Sequence, residues 1–283
     1  VKQQRKEMEI TTKILDRDHQ YAVKSFLDYY ALRRQSPELD FLKEILHHFS
    51  NLPYENISKI IKHHQIAEIR LDKIRLPDQV IHEHMEMHLG GTCFSLTYFL
   101  QEILSDCGFI CYPVMADMHS GENVHCCLIV ILGEKKYLVD PGYLLTTPME
   151  IDPKQPRLYK TESTGVELIY KKSDAKYHLY TFNNMETKWR YKFADRPTPM
   201  DEFIQHWLAS FTMPTMNGIC LTKISKNGYI YIRNNFMREQ TLEKKKNYNL
   251  KKNYHEMVGK LFGIDKDVIE QAKAALKENL ERG

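Results

Sequence analysis

Apolar positions recur three and four residues apart along the first third of the chain. Val23, Phe26, Leu27 and Tyr30 make one series; Leu39, Leu42, Ile45, Leu46 and Phe49 make another. That spacing returns side chains to one face of an α-helix, so residues 20–65 read as mostly helical, with Pro53 closing the second series. A third stripe, Leu96, Leu100, Ile103 and Leu104, predicts a helix over 93–107, and Gly108 stands where a C-terminal cap belongs. After Gly108 the period changes. "FICYPVMADM", "VHCCLIVIL" and "KYLVDPGY" read as strands, separated by the turn clusters "HSGEN" and "GEK". Short strand-like pieces such as "GVELIYKK" and "YHLYTF" continue through 157–195. "DRPTPMDEF" leads into a helix near 200–210, and "GICLTKISKNGYIYIRNN" reads as a hairpin about Lys226-Asn227-Gly228. "DKDVIEQAKAALKENL" is a last helix with Asp265 at its N-cap, and the lysine-rich 243–252 reads as a solvated surface loop.

A chain of 283 residues has room for two or three packed subdomains. Its 42% apolar and 27% charged residues suit a soluble globular protein. The longest apolar runs, such as 126–132, fall far short of the roughly 20 residues of a membrane span, so no membrane partner is expected. The opening residues are charged and no apolar secretory core follows, which reads as no signal peptide. A formal charge of +3 is too weak to point to a nucleic-acid partner. The six cysteines form no regular framework and no Cys-x-x-Cys pair, so neither structural zinc nor disulfides are expected, and reduced thiols imply a cytoplasmic setting. On a strand, Cys126 and Cys127 point to opposite faces.

Chemistry gathers at "HLGGTCFSL". Two glycines permit a tight approach, and a thiol in the first turn of a helix sits near free amides and the positive dipole end. Both favour a thiolate, and the same amides suit an oxyanion. A nucleophilic thiol needs an imidazole, and the imidazole needs an orienting carboxylate. "VHCCLIVILGEKKYLVDPGY" supplies His125 and Asp140. With a Gly133-Glu134 turn, facing residues sum to 267 and His125 lies diagonal to Asp140; a Leu132-Gly133 turn puts the two directly opposite. Either register leaves them on one face; a three-residue loop without a bulge would not. Taken singly, Cys93 reads as a buried cysteine, His125 as a core histidine and Asp140 as a turn starter; together they make a Cys-His-Asp triad. His82 and His84 read as surface residues, because no carboxylate or cysteine completes a four-ligand metal set.

These residues carry a resemblance. "GGTCF", "VHCCLIV" and "YLVDPGY", with "LPYENISKI" upstream and "KLFGID" near the end, resemble the arylamine N-acetyltransferases over residues 20 to 275 or so. That family's pattern is Arg-Gly-Gly-x-Cys-Phe-Glu, a strand histidine and an Asp-x-Gly-Phe/Tyr turn. The resemblance implies an α+β, papain-like fold: a helical bundle carrying the nucleophile (1–108), an antiparallel β-barrel carrying His and Asp (109–198) and an α/β lid (199–283). It implies Cys93 as acyl-accepting nucleophile, His125 as base and Asp140 as its partner, with Tyr54, Val124 and Tyr143 lining the acceptor pocket. The implied reaction is a two-step exchange in which an acyl-coenzyme A, acetyl-CoA in the family, acylates the thiol. An arylamine, hydrazine or hydroxylamine then takes the acyl group, and no metal takes part. Lys223, Lys226 and Arg233, or Lys244, Lys245 and Lys246, are candidates to meet the coenzyme's phosphates.

Four departures stand out. Leu89 replaces the arginine before Gly-Gly and Ser95 the glutamate after Cys-Phe; Pro141 sits where a small aliphatic residue is usual; the interval from Cys93 to His125 is short. Without that arginine, Glu55 needs another donor, for which His88 is the candidate, or must stay wet. Two other readings keep the same residues: a transglutaminase-like amide synthase or cysteine hydrolase, and a non-catalytic homologue.

Overall fold

The amphipathic series become helices in a computed structural model that describes residues 19–282 apart from 67, 69, 161–163, 185, 226 and 227. Helices α1 (Gln20–Tyr29), α2 (Leu39–Phe49) and α3 (Ile57–Gln65) fill the stretch read as helical, and α5 (Cys93–Asp106) carries the third stripe. Phe26, Leu42, Ile45, Leu100 and Ile103 are fully buried in one core. Gly108 takes the left-handed conformation (φ 86°) past the end of α5. There the N–H of Phe109 reaches back to the Leu104 carbonyl at 2.9 Å and that of Gly108 to Ser105 at 3.0 Å. This pair of bonds satisfies carbonyls that a helix end otherwise leaves open.

Helix α4 (Pro77–Met87) was not legible as such. Its apolar stripe is completed by a histidine. His84, expected at the surface with His82, is 5% exposed and faces the core. Burial holds its imidazole down at about 4, so the ring is neutral. Nδ1–H donates to the Leu89 carbonyl (3.0 Å) and Nε2 accepts from the Tyr30 hydroxyl (2.8 Å). His82 is exposed.

Strands β2 (Ile110–Met118), β3 (Gly121–Leu132), β4 (Lys135–Val139), β5 (Met149–Glu150), β6 (Arg157–Lys160), β7 (Gly165–Lys171), β8 (Lys176–Phe182) and β9 (Thr187–Phe193) make one antiparallel sheet. Its order is β5-β4-β3-β2-β9-β8-β7-β6. The sheet curls until its edge strands nearly meet: Arg157 pairs with Glu150 at 2.6 Å, and the Tyr159 hydroxyl donates to the Glu150 carbonyl at 2.9 Å. Val114, Ile129, Leu138, Leu168, Leu179 and Phe193 fill the interior. Strand β3 is the wall between barrel and helices. Cys127 and Ile129 face the barrel core, whereas Cys126, Leu128 and Val130 face the helices, so the two adjacent cysteines do point apart.

A second sheet runs β1-β10-β11-β12-β13, from β1 (Tyr54–Glu55) through β10 (Cys220–Ser225), β11 (Gly228–Arg233) and β12 (Phe236–Gln240) to β13 (Lys245–Asn249). It packs with α3, α7 (Tyr254–Phe262) and α8 (Lys266–Arg282) around Leu221, Ile232, Val258 and Ile269. The β10–β11 hairpin is present, although Lys226 and Asn227 of its turn lie outside the described residues. The stretch 243–252 is exposed except for Leu250, and it contains an edge strand rather than being all loop. Both faces of β13 are wet, so no apolar alternation announces it, and its lysines guard the open edge. Helix α6 (Met200–Ala209) follows the proline-rich stretch, and the Asp265 carbonyl accepts the Ile269 N–H at 3.2 Å at the start of α8. The architecture is α+β and papain-like: helices, then a nearly closed barrel, then an α/β layer. Among the described residues, no helix is long and apolar enough to cross a membrane.

Candidate active site

Cys93 is the first residue of α5, after an extended Thr92. The glycines before it answer a demand for close approach. A side chain on Gly90 would collide with the Pro53 carbonyl, and one on Gly91 would strike Ser95 Oγ and come within 3.2 Å of Arg75 Nη1. Gly91 bridges to Tyr54; its carbonyl accepts the Glu55 N–H at 2.9 Å and its own N–H reaches the Pro53 carbonyl at 3.3 Å. The turn that presents the thiol is thereby laced to β1.

The β3–β4 pairing settles the register. Leu128 faces Val139 and Leu132 faces Lys135, so the turn is Gly133-Glu134. His125 Nε2 lies 2.8 Å from Asp140 Oδ2, both groups buried. Asp140 is held in turn: Oδ1 accepts the Tyr143 N–H at 2.9 Å, and its carbonyl accepts the Leu145 N–H at 3.1 Å. With Nε2 engaged, Nδ1 is the ring nitrogen left for the sulfur. Gly142 shows how close the three groups sit. A Cβ there would fall 2.6 Å from Cys93 Cβ and 3.1 Å from His125 Cε1, so one glycine is wedged against both side chains. The helix terminus, the strand and the turn meet at this point. The Tyr191 ring backs the imidazole, with centroids 5.0 Å apart.

The electrostatics favour an ion pair. Burial pulls the His125 imidazolium down, but Asp140 and then Cys93 outweigh it and push the group up to about 10. The Cys93 thiol is held well below its ordinary range, first by the neighbouring Cys126 thiol, against burial, with His125 and then Lys59 adding to the effect. Burial, then Cys93 itself, pushes Cys126 well up, so that thiol stays neutral. Among the described residues, no cluster of His, Cys, Asp or Glu is arranged to hold a metal ion.

Cys93 and His125 open onto a cavity of about 540 Å³, and Tyr54, Val124 and Tyr143 all stand on its wall. The basic candidates divide. Lys245 lines this cavity. Lys223 instead lines a separate cavity of about 230 Å³ and donates to the Leu261 carbonyl at 3.4 Å. Arg233 donates to the Thr215 carbonyl at 3.2 Å and, like Lys244 and Lys246, does not line the main cavity; Lys226 lies outside the described residues. Lys59, Lys188, Arg190 and Arg238 line the cavity and were missed. For Lys188 and Arg190 a signal existed: charged residues two apart on "TKWRYKF" share a strand face.

Two of the four departures, Leu89 and Ser95, resolve physically. Leu89 is buried in the core shared by α3 and the second sheet. The missing guanidinium arrives from elsewhere: Arg75, 3% exposed, donates to the Gly90 carbonyl at 2.8 Å, lies 3.7 Å from Glu55 Oε1 and binds Glu83. His88 is therefore not the donor to Glu55; it is exposed, left-handed (φ 57°), and packs on Gly263. Ser58 supplies two more bonds to Glu55, from its N–H at 2.9 Å and its hydroxyl at 2.5 Å. Ser95 turns its hydroxyl onto the Thr92 carbonyl at 3.1 Å.

Comparison with known proteins gives a consistent result. A family model described as N-acetyltransferase matches residues 38–271. A chicken (Gallus gallus) protein, arylamine N-acetyltransferase, pineal gland isozyme NAT-3, is 28% identical over 155 residues, 48% of this chain and 51% of that protein. The chain spans about half the length of the curated relatives it matches. The solved arylamine N-acetyltransferase of Mycobacterium abscessus superposes with a TM-score of 0.77 at 16% identity, over 90% of this chain and 94% of the other. That of Mycobacterium marinum, solved in complex with CoA, superposes with a TM-score of 0.73 at 16% identity, over 90% and 98%.

Proposed function

This chain belongs to the arylamine N-acetyltransferase family, and we propose that it moves an acyl group from an acyl-coenzyme A, acetyl-CoA first, to an arylamine, hydrazine or hydroxylamine through a thioester on Cys93. The observation that carries this reading is the His125–Asp140 pair set against a thiol at a helix N-terminus, with Cys93 and His125 opening onto one cavity.

The Cys93 thiolate attacks the thioester carbonyl of the donor, and the amides of the first turn of α5 receive the developing oxyanion. As the carbon–sulfur bond to coenzyme A breaks, the His125 imidazolium gives its proton to the departing thiolate. The amine then attacks the Cys93 thioester, His125 takes the proton the amine must lose, and the Cys93 thiolate leaves. Asp140 fixes the ring through Nε2 and stabilises its charged form in both halves. Tyr54, Val124 and Tyr143 frame the acceptor, and Lys188, Arg190, Arg238 and Lys245 offer positive charge to the donor's phosphates. Six free thiols suit a reducing compartment, the cytoplasm.

Intact mass of the protein mixed with acetyl-CoA, before any amine is added, tests this. One acetyl group on Cys93, removed on adding an arylamine, is expected. No adduct from any short acyl-CoA, together with thiol-dependent peptide or amide hydrolysis, would transfer the site to the hydrolase reading.

A further inference from the structure

The cavity wall carries a buried cation that the triad does not use. Lys59, the third residue of α3, is 5% exposed. Its ammonium donates to the Ser210 carbonyl at 2.9 Å and the Ser210 hydroxyl at 2.5 Å, and lies 4.6 Å from the centre of the Phe211 ring. Both oxygen acceptors are neutral. A buried ammonium without a counter-charge is strongly disfavoured, and chains normally supply a carboxylate. Among the described residues no carboxylate pairs with Lys59; the group that favours its charged form and can itself carry the negative charge is the Cys93 thiol, on the same cavity wall. The acid on the cavity wall is Glu186, already paired with Lys188 at 2.9 Å and Lys245 at 3.8 Å. Burial draws Lys59 down to about 8, which still leaves it charged at neutral pH.

We propose that Lys59 is a positioning residue for the nucleophile: its ammonium is a second cation, beside His125, that holds Cys93 as a thiolate. The inference rests on reading Cys93 as the nucleophile. The titratable groups around the sulfur are Tyr54 on β1, Lys59 on α3, His125, Cys126 and Cys127 on β3, and Asp140 behind His125. Of these, only Lys59 and His125 bear positive charge. The helices that precede the barrel thus contribute a cation to a site whose imidazole and carboxylate come from the barrel.

The test is the rate of Cys93 alkylation by iodoacetamide against pH, followed by intact mass in the unmutated protein, Lys59→Met and Lys59→Arg. Lys59→Met should raise the midpoint by about one pH unit, which makes alkylation about tenfold slower at pH values below both midpoints. Lys59→Arg should restore most of the rate, because charge and not packing is what matters. An unmoved profile in a Lys59→Met protein with an intact thermal transition overturns the proposal while leaving the triad standing. An ordinary thiol profile in the unmutated protein overturns the reading of Cys93 itself. If Lys59→Met does not fold, NMR of the unmutated protein labelled with [15N]lysine decides. Alkylation turns the thiolate into a neutral thioether, so the Lys59 midpoint must fall; a midpoint that stays put refutes the proposal.

Discussion

Arg75 and Lys59 are both buried cations close to the turn that presents Cys93, and the chain satisfies them in contrasting ways. Arg75 is surrounded by carboxylates, Glu55 and Glu83, and adds a bond to the Gly90 carbonyl. Its planar fork reaches three acceptors at once, which a lysine cannot do. Lys59 meets a carbonyl and a hydroxyl, with an aromatic face beneath. The first arrangement is closed on itself and stiffens the backbone that presents Cys93. The second is electrically incomplete until the thiolate is counted. Where a buried cation finds its negative charge distinguishes a group that holds the fold from one that tunes the chemistry.

The sharpest contrast should come from a substitution touching neither cation. Asp140→Asn keeps the imidazole but removes its orienting charge, and should lower the acyl-transfer rate by about 10²–10⁴ while Arg75 and Lys59 stay in place. Steady-state turnover with purified variant measures it. Next is Arg75→Met, which strands Glu55 in the interior. Breaking a buried pair typically costs about 3–5 kcal/mol. The lower end is expected, because burial already pushes the Glu55 carboxyl above its usual range, so it can take up a proton. Denaturant unfolding checks this, and Arg75→Lys should recover little. Lys59→Met should cost less, about 1–2 kcal/mol, because it strands only the neutral Ser210 acceptors and a thiolate that can take up a proton. Equal losses for Arg75→Met and Lys59→Met would erase the contrast. The smallest effect concerns His84. Its folded pKa is depressed to about 4, so its neutral form contributes stability that is present above the unfolded value near 6.5 and is lost as pH falls toward 4. His84→Gln should flatten the acid limb of a stability-versus-pH curve.

How much of this was legible follows from where each residue's partners lie in the chain. The helices α1 and α2 declare themselves by period, because each buries one face and wets the other; α5 and β3 are buried nearly all round and show instead as apolar runs bounded by turn residues. His125 and Asp140 share a face in either two-residue register of a short hairpin, and only a three-residue loop without a bulge would part them; the observed turn is Gly133-Glu134. Helix α4 was hidden by His84, a polar residue doing an apolar residue's packing with both nitrogens bonded. Strand β13 was hidden because neither face is buried. Arg75 and Lys59 were out of reach for a different reason. The arginine stands 15 residues from the Gly90 carbonyl it holds, and Lys59 stands 151 residues from Ser210, so no period or motif couples them. His88 looked suitable as the donor to Glu55 by proximity in sequence, whereas the fold delivers Arg75.

The claim beneath all of this is that Cys93 rests as a thiolate at neutral pH, paired with a protonated His125. Iodoacetamide alkylation of Cys93 in the unmutated protein, measured from pH 5 to pH 10, tests it most directly. A rate that stays on its plateau well below the ordinary thiol range near 8.5 is the predicted result. A rate that climbs through a single midpoint near 8.5, with no reactivity at pH 6, would contradict the account.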